Sequence, residues 1–180
     1  MRFFLDSASP EDARRVKDLG LLDGAWVSLA SAEAAGFDYR KSVRELAKLG
    51  KDIVIRLPLK PEGMRVARLF AQDQIATCAA GCFSMAQGLI AAKSNVSYVA
   101  PAVGILDDAG AIGMDLVEQI IRVYDNYGFQ TQIVVSDARN PIHVLDAALM
   151  GADVAALPAD VLEQLFRHPF TEELRAGRPS

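Results

Sequence analysis

The alternation of short apolar runs with longer amphipathic segments is the feature that most limits how this chain can fold. Seven apolar runs are typical of buried strands, and they cover residues 3–6, 25–28, 53–57, 75–80, 96–103, 132–136 and 154–157. The intervening segments have helical spacing and predict helices starting at residue 9 and over 38–49, 61–72, 84–93, 114–127, 141–150 and 159–166. Strands that alternate with helices form parallel sheets with right-handed crossovers.

Two parallel architectures fit this order, and the sequence favours a closed barrel. The strands are apolar throughout, as expected when helices cover the sheet. No glycine-rich phosphate motif follows the first strand, which disfavours a nucleotide-binding doubly wound sheet. We therefore predict an α/β fold of the TIM-type (β/α) barrel class, one domain over residues 1–180, with seven strand–helix units instead of eight. It either closes with seven strands or stays open between residues 25–28 and 53–57.

Composition excludes several classes of protein. The net charge of −4 and the pI near 5.2 disfavour a nucleic-acid partner. No apolar run is long enough for a membrane span, and Asp6 interrupts any early signal-peptide core. Cys78 and Cys82 are too few for a disulfide framework, so we expect a cytoplasmic protein with reduced thiols. No spacing of cysteine, histidine and carboxylate residues suggests a metal, and no cofactor is expected.

Several motifs, in order, carry a resemblance to a known family. They are Met1-Arg-Phe-Phe-Leu-Asp6, Leu22-Asp23-Gly24, Tyr98-Val-Ala-Pro101, Gly104 to Asp108, Tyr124-Asp-Asn-Tyr-Gly128, His143 to Asp153 and Arg167-His-Pro169. Together they resemble the transaldolase and fructose-6-phosphate aldolase family nearly end to end. The resemblance implies a transaldolase-like barrel, sugar-phosphate substrates in carbohydrate metabolism, and a lysine that forms a Schiff base with a carbonyl. One strand–helix unit of the family has no counterpart between Leu49 and Asp52.

The resemblance also places the family's catalytic residues, and the lysine is replaced. Its position is occupied by Arg56, in the run Asp52 to Pro58. An arginine side chain keeps its proton and cannot attack a carbonyl. Asp6 keeps the place of the family's catalytic aspartate, and Ser28 replaces its asparagine. Ser28 has no histidine base in view, because His143 and His168 are predicted on helices, so a serine hydrolase is disfavoured.

Other functional positions differ as well. The resemblance matches Ala80 to a threonine that holds a catalytic water, Ala102 to a tyrosine and Ile105 to a phosphate-binding arginine. Asp137 replaces a serine, whereas the nearby basic residue is retained as Arg139. Arg139 precedes the helix predicted at residue 141, where free amides favour an anion, so it is either a phosphate ligand or a solvated cation.

Arg56 is expected to point into the barrel, and two interpretations stay open. It is either a buried cation neutralised by Asp6 or Asp137, or a receptor for a carboxylate or phosphate. In the first case, removing Asp6 should cost about 3 to 5 kcal/mol.

The leading functional hypothesis is a pseudoenzyme of sugar-phosphate carbon metabolism by ancestry. It lacks normal Schiff-base activity and keeps a pocket for a small anion, such as a sugar phosphate, at Arg56, Asp137 and Arg139. One alternative is a structural protein with a sealed pocket. Another is a residual aldolase that uses Lys60. We also expect a homo-oligomer that contacts its copies near residues 37–60, because omission of one unit would expose strand edges or apolar faces there.

Overall fold

Seven parallel strands form a closed barrel in the computed structural model, which describes residues 1–6, 15–16, 18–28 and 53–175. The strands are β1 (Arg2–Leu5), β2 (Gly24–Ser28), β3 (Ile53–Pro58), β4 (Thr77–Cys82), β5 (Tyr98–Pro101), β6 (Gln132–Val135) and β7 (Val154–Leu157). Their order in the ring follows the chain, and β1 pairs with both β2 and β7. The predicted fold class is confirmed, and the open alternative is wrong because β2 pairs directly with β3.

Helices follow the strands on the outside of the ring. They are α1 (Pro61–Gln72), α2 (Met85–Lys93), α3 (Val103–Asp108), α4 (Gly113–Tyr127), α5 (Pro141–Met150), α6 (Ala159–Gln164) and α7 (Pro169–Arg175). Local side chains fix where the helices begin: Ser84 and Asn140 cap the amino-terminal ends of α2 and α5. Gly128 and Gly151 end α4 and α5 in the left-handed conformation. No helix in the described ranges is long and apolar enough to cross a membrane.

Some predicted boundaries are wrong, and the reasons are local. The strand predicted to reach Val103 ends at Pro101, because Val103 already begins α3 and donates its N–H to the Ser136 carbonyl. Neither α3 nor α7 was predicted, since six or seven residues show too little periodicity. His168 precedes α7 instead of lying on a helix. The helices predicted at 9 and over 38–49 fall wholly or largely outside the described residues.

Strand alternation divides the buried residues into two cores. The outer core, between strands and helices, takes residues such as Leu5, Ile55 and Leu57. The barrel interior takes their neighbours in sequence; its members are Phe4, Val54, Cys78, Tyr98, Ala100, Val134, Val154 and Ala156. Successive side chains of a strand point to opposite faces. Residues 6 and 56 come two positions after Phe4 and Val54, so they continue the interior face.

Arg2 closes the amino-terminal end of the barrel. Its guanidinium donates to the Gln132 Oε1 at 2.6 Å and to the Tyr98 hydroxyl at 3.1 Å. It also lies over the rings of Phe4 and Tyr98, at 5.6 and 5.5 Å from their centroids. The opposite end, where strands β1, β3 and β6 finish, carries the predicted site residues.

Candidate functional site

Arg56 and Asp6 meet at the carboxyl end of the barrel. The Arg56 Nη1 lies 3.6 Å from the Asp6 Oδ1, and the two side chains are 31% and 33% exposed. The structure thus brings together the two residues that the pairing hypothesis joins. Full burial of the pair is wrong, because water reaches both side chains. The distance exceeds that of an ordinary N–H···O hydrogen bond, so this contact is an ion pair.

Small residues continue the interior face of β4 and β5 towards this end of the barrel. Ala80 follows Cys78 on the interior face of β4, and Ala102 follows Ala100 beyond the end of β5. Methyl groups there offer neither a donor nor an acceptor. Ser28 is placed by its backbone alone, as the last residue of β2 and the register partner of Arg56.

A second charged group lies at the end of β6, on a different wall of the ring. Arg139 binds the Asp137 carboxylate through Nε and Nη2, at 3.3 and 2.9 Å, and the Asp108 carboxylate through Nη1 at 2.7 Å. The hydrogen bonds that the Arg139 guanidinium donates to Asp137, and then to Asp108, raise its pKa. The group therefore holds one positive and two negative charges. We call the carboxyl end of the barrel, where Asp6, Arg56 and Arg139 lie, the mouth. Because β3 and β6 are three strands apart in the ring, Arg139 and Arg56 are on separate sides of the mouth.

The turn that presents Arg139 depends on a glycine. A Cβ on Gly104 would lie 2.6 Å from the Arg139 Nε and equally close to the Asp137 carbonyl oxygen. Asp137 itself has a φ of +55°, a left-handed conformation that aspartate tolerates better than most residues. Gly104 therefore allows α3 to pack directly against the Asp137 loop.

Sequence reasoning missed a neighbouring pair of residues, Asp107 and His143. The Asp107 carboxylate accepts from the Gly113 N–H at 2.8 Å and lies 3.2 Å from the His143 Nε2. It thereby joins the start of α4 to α5. The adjacent acids Asp107 and Asp108 at the end of α3 were the available signal, since each has a basic partner on the segment that follows β6.

Other nucleophiles lie in environments that do not activate them. Burial raises the pKa of the Cys78 thiol to about 12, and nearby Arg56 only partly opposes that effect. Burial likewise raises the pKa of Cys82 to about 11. Lys60 is exposed at the start of α1, whereas a Schiff-base lysine is normally desolvated. Among the residues that the structure describes, no cluster of three or more potential ligands could hold a metal ion.

Two grooves lie away from this mouth, towards the amino-terminal end of the barrel. One, of about 540 Å³, is lined by the segments before β5 and β6, including Asn95, Ser97 and Gln130. The other, of about 270 Å³, is lined partly by Asp125 and Asp153. None of the predicted site residues lines either groove.

A closed ring of parallel strands with charged residues at its carboxyl end defines a TIM-type α/β barrel. The chain belongs to the transaldolase/fructose-6-phosphate aldolase family, whose model matches residues 4–178. It is 37% identical to a probable transaldolase of Methanococcus maripaludis, over 96% of this chain and 93% of that protein. It is 38% identical to one from Geobacter sulfurreducens and 39% identical to one from Desulfosudis oleivorans, with the same coverage of both chains.

Proposed function

We propose that this protein is a member of the transaldolase family that lacks Schiff-base aldolase activity and binds a small anion at Arg56. The observation that carries the proposal is the position of Arg56, at the carboxyl end of the barrel interior, 3.6 Å from Asp6 and partly exposed. Active sites of such barrels lie at this end. A guanidinium there recognises carboxylate or phosphate but cannot form an imine.

The exposure of the pair favours this proposal over a sealed structural pocket. A sealed pocket would exclude water, whereas about a third of each of these side chains is in contact with it. The same geometry disfavours a residual aldolase that uses Lys60, because that lysine is exposed on the loop before α1. Both alternatives are therefore weaker explanations of the mouth.

The comparison also supports the loss of one strand–helix unit. The match to the Methanococcus protein extends over 199 aligned positions, more than the 180 residues of this chain. The alignment must therefore leave gaps in this chain. We place the largest gap between β2 and β3, which are direct neighbours in a ring of seven strands. Eight strands are usual for this barrel class.

Borohydride trapping tests the absence of aldolase chemistry. The protein is incubated with dihydroxyacetone or fructose 6-phosphate, reduced with borohydride, and its intact mass is measured. We expect no added mass, because the mouth described above has an arginine where a Schiff base would form. A stable adduct that maps to Lys60 would instead establish the residual aldolase.

Anion binding is measured separately, by titrating small carboxylates and phosphates against the fluorescence of the single tryptophan, Trp26 in β2. Arg56→Met should abolish binding. Arg122→Met, the same change at an exposed position of α4, is the matched control and should bind as the wild type does. Equal binding by the wild type and Arg56→Met would refute an anion site at Arg56.

A further inference from the structure

We infer that the outer face of α5 is a docking surface for a second copy of this chain, which packs there antiparallel, about a two-fold axis near Leu145. This face lies on the outside of the barrel, so the contact is independent of the proposed function. Two features of α5 support it: the helix is apolar on both of its faces, and its exposed apolar residues have nearly the same spacing in both directions along the chain.

The helix α5 is apolar all round. Val144 and Ala147 are buried on its inner side. On its outer side Ile142, Leu145 and Leu149 are 66%, 58% and 77% exposed. A surface helix usually presents a polar face to water, whereas a helix that is apolar all round is normally covered on every side. Its neighbours α4 and α6 lie within the described ranges and leave this outer face open.

The exposed residues have the spacing of a seam between two helices. Ile142, Leu145 and Leu149 are three and four positions apart, which is the a–d–a pattern of helices that pack along one stripe. Reversing the helix exchanges Ile142 with Leu149 and leaves Leu145 near the middle. A two-fold axis near Leu145 therefore places Ile142 against Leu149 of the second copy, and the face is complementary to itself.

The shape and size of the surface also suit another folded chain. Small ligands bind in concave sites, whereas an exposed helix face is convex. The exposed side chains of α5 present roughly a few hundred Å² of apolar surface, the size of patch that marks an interaction site. The neighbouring α6 runs away from the mouth as α5 does, and Phe166, just beyond it, is 59% exposed. These residues supply an apolar core for an interface of roughly 800 Å² per partner, and polar neighbours supply its rim.

Asp146 gives the contact a characteristic response to charge. It follows Leu145 and flanks the exposed stripe, half-buried, as the acidic residue of α5. Near a two-fold axis each Asp146 approaches its counterpart, and like charges repel. Asp146→Asn should therefore tighten the dimer by about two- to fivefold at low salt. A weaker dimer in this variant would overturn the position of the axis.

Sedimentation analysis of the full-length protein tests the surface. Leu145→Asp should halve the mass of the assembly, because it places a charge at the centre of the seam. Ile90→Asp, the same kind of change at a 52% exposed position of α2, is the matched control and should leave the mass unchanged. A contact near residues 37–60 would survive both changes. Equal masses of the wild type and Leu145→Asp would overturn the inference, and circular dichroism establishes that each variant is folded.

Cross-linking tests the antiparallel arrangement. Cys78 and Cys82 are buried, so an engineered thiol on α5 is the accessible one. Oxidised Leu145→Cys should form a disulfide-linked dimer. Ile142→Cys alone should not, because its two copies lie about 10 Å apart along the helices; adding Leu149→Cys should restore the link. Equal cross-linking of Leu145→Cys and Ile142→Cys, or none with Leu145→Cys, would overturn the two-fold contact.

Discussion

The ion pair between Asp6 and Arg56 should stabilise the fold only modestly, and a double-mutant cycle can measure its contribution. At 3.6 Å, two unit charges attract by about 1 kcal/mol in a water-like medium and by about 4 to 5 kcal/mol at the dielectric typical near a protein surface. Partial exposure places the pair between these limits. Desolvation and side-chain ordering reduce the net value further, so we expect a coupling of about 1 kcal/mol.

The cycle consists of the wild type, Asp6→Ala, Arg56→Met and the double variant. Free energies of unfolding from urea titrations give the coupling as the departure from additivity. The coupling should weaken in 1 M salt, where the screening length falls to about 3 Å. Asp6→Ala alone should cost about 1 to 1.5 kcal/mol.

Two results would refute this reasoning. A coupling of about 3 kcal/mol or more that does not respond to salt would mean that the pair is buried, as the sequence alone suggested. A coupling near zero would mean that the pair makes no measurable contribution to stability.

Four further predictions concern chemistry, titration, packing and assembly. Arg56→Lys should not confer cleavage of fructose 6-phosphate in a coupled assay, because the methyl groups of Ala80 and Ala102 offer a new lysine neither a donor nor an acceptor; substantial turnover would show an otherwise competent site. Since the pKa of Cys78 is raised from 9.0 to about 12, the stability that its neutral form contributes should be complete below pH 9 and decline towards pH 12. Urea titrations should show that decline in the wild type and a flatter profile in Cys78→Ala. Gly104→Ala should cost about 1 to 3 kcal/mol, because its methyl group would overlap backbone and side-chain atoms; an unchanged melting temperature would contradict that packing. Light scattering should show a mass above that of the 19.4 kDa monomer, as expected for a homo-oligomer; a stable monomer at micromolar concentration would argue against the contact expected near residues 37–60.

Sequence patterns predicted the architecture well because the signal is repeated. Each strand is a short apolar run, and errors of two residues at its ends do not change the order of elements. The helices Val103–Asp108 and Pro169–Arg175 were missed because six or seven residues are too few to show a clear helical period. Closure of the ring was also beyond the sequence, since it depends on the register between Trp26 and Val54 and not on the composition of either strand.

The placement of the candidate residues could be predicted from the sequence, but their exposure to water could not. The alternation of side-chain direction along β1 and β3 was enough to place Asp6 and Arg56 on the interior face. Their partial exposure depends on how neighbouring loops cover the mouth, and local sequence carries no record of that. Likewise, the partnership of Arg139 with Asp108 joins residues 31 positions apart through the contact of α3 with the Asp137 loop.

A barrel of seven strands also has a narrower interior than a barrel of eight. At equal strand spacing and tilt, a ring of seven has a perimeter about one-eighth shorter than a ring of eight, and a cross-section smaller by about a quarter. Point substitutions at the mouth leave that dimension unchanged. Under the proposed function, aldol cleavage of a six-carbon phosphate would therefore require a wider wall between β2 and β3 as well as a lysine at position 56.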